Sequence, residues 1–102
     1  MEDDKSKPAA PAAPQLQIQL DDDVAQGVYS NLVMINHNQN EFTIDFIYVQ
    51  PQQPKAKVRS RIIATPRHTK RILAALTENL KKYEAKYGEI DLSNSSGDPI
   101  LH

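Results

Sequence analysis

Leu16, Ile18 and Leu20 alternate with Gln15, Gln17 and Gln19, and a period of two predicts a strand with one buried and one wet face. Asp21-Asp22-Asp23 ends that strand and offers side-chain oxygens to a short helical turn over Val24 to Gln26, which Gly27 terminates. Val28 to Ile35 and Phe42 to Val49 are rich in β-branched and aliphatic residues, with the polar run Asn36-His37-Asn38-Gln39-Asn40 between them. Together they predict a hairpin. Within its second strand Phe42, Ile44, Phe46 and Tyr48 share a face opposite Thr43 and Asp45, so the first set is expected in the core. Pro51 and Pro54 stop the strand because proline supplies no ladder donor.

From Ala56 to Ala64 the alternation resumes as a further strand. Val58, Ser60, Ile62 and Ala64 fall on one side, and Lys57, Arg59, Arg61 and Ile63 on the other. Thr65-Pro66 then reads as a helix start: threonine accepts from orphan amides, and proline sits where its missing N–H costs nothing. Ile72, Leu73, Leu76, Leu80, Tyr83 and Tyr87 recur at spacings of three and four, a single apolar stripe, until Gly88 closes the helix. The expected fold is α+β: an antiparallel sheet of about four strands covered by one long C-terminal helix, in two layers. Val33, Ile35, Ile47 and Val49 are then expected on the uncovered sheet face, an apolar patch that a homodimer would bury.

Composition divides the chain. Residues 1–15 carry Pro8, Pro11 and Pro14 among alanines and charges, and residues 93–102 hold the turn-forming run Ser-Asn-Ser-Ser-Gly-Asp-Pro. Neither stretch has the apolar content to offset the entropy of ordering, so both are expected to be disordered tails around a single domain over 16–92. A unit of that size buries a modest fraction of its surface, which again favours self-association. With no cysteine, disulfides and thiolate metal sites are excluded. The acidic first residues and the lack of any long apolar run predict neither a secretory signal nor a membrane span, and a cytoplasmic location is expected.

Net charge is only −1, but the signs are segregated. Between Asp45 and Glu78 there is no acidic residue, whereas Lys55, Lys57, Arg59, Arg61, Arg67, Lys70 and Arg71 all fall there, seven cations in seventeen positions. Such a row has the chemistry to track a phosphate backbone. The plainer alternative is that cations on an outward strand face block edge-to-edge pairing and that helix cations are a solvated surface. The near-neutral total argues against a dedicated nucleic-acid protein. The acids of Glu2 to Asp4 and Asp21 to Asp23 either compete for the basic run or keep the chain soluble.

No catalytic grouping emerges. His37, His68 and His102 lack metal-ligand spacing, and Asp45 opposite Arg59 or Arg61 suits a cross-strand ion pair better than a triad with His68. Glycines at 27, 88 and 97 form no phosphate loop, and no cofactor or small-molecule substrate is indicated. Tyr29 and Tyr48 suit stacking or half-burial. Asn31 is unusual in an apolar strand and predicts a bulge or a bond across a dimer interface.

The segments Val24-Ala25-Gln26-Gly27-Val28-Tyr29-Ser30-Asn31, Glu41 to Phe46 and Arg61 to Leu76, in that order, resemble the bacterial family catalogued as domain of unknown function 3467. The likeness spans about Leu16 to Gly88. It implies a small cytoplasmic protein without assigned enzyme chemistry, and a loose association of related domains with DNA binding and transcription. Thr69 and Thr77 depart from the more helix-favouring residues expected there. Two functions are therefore expected as alternatives: a non-catalytic, homodimeric module binding nucleic acid or a nucleic-acid-handling complex through Lys55 to Arg71, or a protein-interaction scaffold without nucleic-acid contact.

Overall fold

The computed structural model describes residues 15–93. The readings of residues 1–14 and 94–102 as tails, with the acids of Glu2 to Asp4 and with His102, lie outside the described residues. The element order is α1 (Asp22–Ala25), β1 (Leu32–His37), β2 (Phe42–Val49), β3 (Ala56–Ala64) and α2 (Pro66–Tyr87). The three strands form one antiparallel sheet in the order β1-β2-β3, and the fold is α+β.

Local chemistry accounts for the ends of α2 and for the first hairpin, whereas Asp21, at the N-cap of α1, makes no side-chain cap hydrogen bond. Thr65 caps α2 by accepting from the His68 N–H at 3.1 Å, with Pro66 in the first turn. Gly88, at φ 99°, ends the helix in the region that favours glycine, its N–H donating to the Glu84 carbonyl at 2.9 Å. Thr69, expected to weaken the helix, donates its hydroxyl to the Thr65 carbonyl at 2.8 Å within the first turn. In the first hairpin, Asn38 Oδ1 accepts from the N–H groups of Asn40 at 2.8 Å and Glu41 at 3.0 Å, and that turn sets the register.

Three expectations are corrected. Leu16 to Leu20 form no strand: the segment is irregular and exposed, Leu16 at 86%, so the sheet has three strands rather than four. Secondly, His37 lies opposite Phe42, which pairs odd positions of β1 with even positions of β2. Val33 and Ile35 therefore share a face with Phe46 and Ile44, while Ile47 and Val49 lie on the reverse; the four do not make one patch. A one-residue difference in register turns a whole strand over.

Thirdly, α2 does not cover its own sheet. None of its residues is buried, and Leu73 and Leu76 in its apolar stripe are 64% and 57% exposed. The core of the described chain is correspondingly small: Ile44 and Ala64 are buried on one sheet face, and Ile47 and Asp45 on the other.

Candidate functional site

The seven cations do not form one uniform row, because β3 carries an irregularity. Ser60 lies opposite Phe46 but Val58 lies opposite Ile47, leaving Arg59 as an extra residue. A bulge of this kind shifts the alternation. Arg61, opposite Asp45, is on one sheet face, and Lys57, opposite Tyr48, is on the other. The expectation that Lys57, Arg59 and Arg61 project together, and that Val58 joins Ser60, Ile62 and Ala64, is corrected on that ground.

Arg61 is also committed. Its Nε donates to Asp45 Oδ1 at 2.7 Å and its Nη2 to Oδ2 at 2.9 Å, a planar two-point grip. The Asp45 residue is 7% exposed, and the Arg61 hydrogen bonds hold its carboxyl below the usual aspartate range, outweighing the upward push of burial. The cross-strand ion pair anticipated from sequence is thus present, and Arg61 serves the sheet.

Lys55 and Lys57 lie where β2 and β3 join. With Tyr48, Gln50 and Ala56 they line an open concavity of about 370 Å³. Tyr48 is half-buried, and its ring meets that of Tyr29 edge to face, centroids 5.9 Å apart at 74°. The loop is closed by Gln50 donating to the Lys55 carbonyl at 3.0 Å, which fixes the backbone of Lys55 beside the tyrosine. A tyrosine and two lysines lining one concavity are the residue types that hold a stacked base and its phosphate. In the sequence Tyr29 and Tyr48 stand apart from the cations; the Tyr48–Lys57 cross-strand pairing that joins them depends on the bulge.

Arg67, Lys70 and Arg71 are exposed in the first turns of α2. At spacings of three and four they share one side of the helix, turned away from Leu76 and Leu80. Cations are electrostatically disfavoured at a helix N-terminus, so this placement is not explained by helix stability.

Asn31 does not mark the bulge, and its amide is bonded within its own chain. Its Nδ2 donates to the Val49 carbonyl at 3.1 Å, and its Oδ1 accepts from the Val49 N–H at 2.8 Å. The side chain substitutes for a peptide group and extends β1–β2 pairing past the strand end. Ser30 Oγ donates to the Ile47 carbonyl at 3.0 Å in the same corner. His37 stacks on Phe42 at 5.1 Å, and His68 lies in the first turn of α2.

The family model described as "Protein of unknown function (DUF3467)" matches residues 1–92, nearly the whole chain. The chain belongs to this family. The match extends to the N-terminal residues that the likeness read from sequence had not included. Neither the curated proteins nor the solved structures provide a match. The DUF3467 assignment carries no activity with it, so function rests on the chemistry of the surface. No helix among the described residues is long and apolar enough to cross a membrane.

Proposed function

We propose that this DUF3467 protein is a non-catalytic binding module of the bacterial cytoplasm that contacts nucleic acid, or a complex handling it, with low sequence specificity. The observation that carries this reading is the concavity in which Tyr48 is flanked by Lys55 and Lys57. Arg59 on β3 and Arg67, Lys70 and Arg71 in the first turns of α2 are further exposed cations of the chain, while Arg61 is assigned to Asp45 and takes no part. Single-stranded nucleic acid suits such a site better than duplex, because an aromatic platform engages unpaired bases and lysines follow the backbone.

The test is a fluorescence-anisotropy titration of single-stranded and duplex oligonucleotides over a range of salt. Affinity is expected to fall steeply with salt, and the triple substitution Lys55→Gln, Lys57→Gln, Arg59→Gln is expected to reduce the log–log slope by about two to three. Absence of binding by the parent at low salt would overturn the proposal.

The exposed apolar side chains of α2 favour a second reading, a protein-interaction scaffold whose cations only steer an acidic partner. Partner recovery that survives nuclease and high salt would select it.

A further inference from the structure

We infer that the apolar stripe of α2 docks on the sheet of a second copy of this chain, in a reciprocal two-fold dimer. Three features lead there, none of them dependent on the nucleic-acid reading.

The first is that two complementary surfaces of one chain are both uncovered. On α2, Leu73, Leu76, Leu80, Tyr83 and Tyr87 are exposed, and Ile90 widens the stripe: its N–H donates to Glu84 Oε2 at 2.9 Å, folding the chain back to line an open groove of about 470 Å³ with Leu76, Leu80 and Tyr83. On the sheet, Val33, Ile35, Phe46 and Ile62 are exposed on the same face as buried Ile44. The opposite face also exposes Met34, Val58 and Ile63, but the buried Arg61–Asp45 pair lies across it with Asn36 and Thr43 alongside, so the first face is the one an apolar helix fits; Tyr48 and Lys57 lie on that first face at its β2–β3 loop end, beyond Val33 and Phe46.

The second is the junction. β3 ends at Ala64 and α2 begins at Pro66, leaving only Thr65 between them. Thr65 is extended, at φ −66° and ψ 158°, as expected of a residue preceding proline. Strand-to-helix connections that return a helix onto its own sheet normally take about two to six residues. One extended residue directs α2 away from its sheet, so the surface covering the stripe belongs to another molecule.

The third is size and closure. From Leu73 to Tyr87 the stripe is about 21 Å long at 1.5 Å per residue, comparable to the roughly 26 Å of an eight-residue strand such as β2. The ten exposed side chains named above, at roughly 80–100 Å² each, amount to about 800–1,000 Å² per chain, which is the size of a standard specific interface. Because each copy has one stripe and one sheet face, exchange between two copies satisfies all four surfaces and closes the assembly. A different protein seated on either surface would leave the other uncovered. Arg67, Lys70 and Arg71 face away from the stripe and stay exposed in the dimer.

The experiment uses the full chain, which has no cysteine, so engineered thiols react alone. Sedimentation equilibrium of the parent is expected to give twice the 11.5 kDa of one chain. Separately purified Leu76→Cys and Ile35→Cys proteins, mixed and mildly oxidised, are expected to form a disulfide-linked heterodimer in yield several-fold above either protein alone. A parent that sediments as a monomer at micromolar concentration overturns the inference. So does a doubly substituted chain that cross-links within itself, which would show α2 folded back, or Leu76→Cys pairing only with itself, which would show helix against helix.

Discussion

At the scale of single residues, the sheet depends on two polar side chains that an apolar strand pattern would not require. Asp45 and Arg61 are paired in a geometry whose loss leaves a buried carboxylate unpartnered. Arg61→Gln is therefore expected to lower the urea midpoint, whereas Lys57→Gln, at an exposed position, is expected to change stability by no more than about 0.5 kcal/mol. Because the Asp45 carboxyl titrates below the usual aspartate range, its contribution is fully present above about pH 4 and is lost as pH falls through the lowered folded value. The stability difference between the parent and Asp45→Asn, measured by urea unfolding, is expected to be constant at neutral pH and to shrink below about pH 4. A difference that persists unchanged in strong acid would show that Asp45 contributes by shape rather than charge. Asn31→Ala removes both bonds to Val49, at an expected cost of about 1–3 kcal/mol, with no effect on oligonucleotide binding.

The decisive element is α2, whose two ends were legible from Thr65-Pro66 and Gly88 because capping is local chemistry. Thr65→Ala is expected to cost about 1 kcal/mol through the lost cap to His68, measurable by thermal unfolding. The same junction makes a stronger prediction about assembly. Inserting four glycine and serine residues between Thr65 and Pro66 gives α2 the length to return to its own sheet, and the chain is then expected to sediment as a monomer of unchanged helical content. If the lengthened chain remains a dimer, the short junction is not what sends the helix outward. The strand boundaries show where local signals suffice: β2 and β3 begin and end at the residues expected from the prolines and the alternation. Leu16 to Leu20 has the alternation of a strand and is none: alternation gives a segment one face to bury, but it does not by itself pair the segment with either open edge of the sheet.

For the whole molecule, a three-stranded sheet whose buried apolar side chains among the described residues are Ile44, Ile47 and Ala64 has only a small core to hold it. In the proposed dimer, folding and association are a single event, and the melting temperature is expected to rise with protein concentration, as scanning calorimetry over a hundredfold dilution series would show. A concentration-independent transition would show a self-sufficient monomer.

What the amino-acid order determined alone was chiefly what neighbours along the chain set: the α+β class, the spans of β2, β3 and α2, and the caps of α2; the pairing of Asp45 with an arginine of β3 was legible too, as opposite charges on adjacent strands. Tertiary structure decided which residues share a face. Alternation runs separately along each strand, and it takes the turn at Asn38–Glu41 and the extra residue at Arg59 to align one strand's parity with the next. For that reason Val33 and Ile35 separated from Ile47 and Val49, and Lys57 left Arg61 to join Tyr48. Tertiary structure also decided that the helix does not cover its sheet. An apolar stripe records that a helix must be covered; the direction in which Thr65 sends it determines whether its own chain can do so.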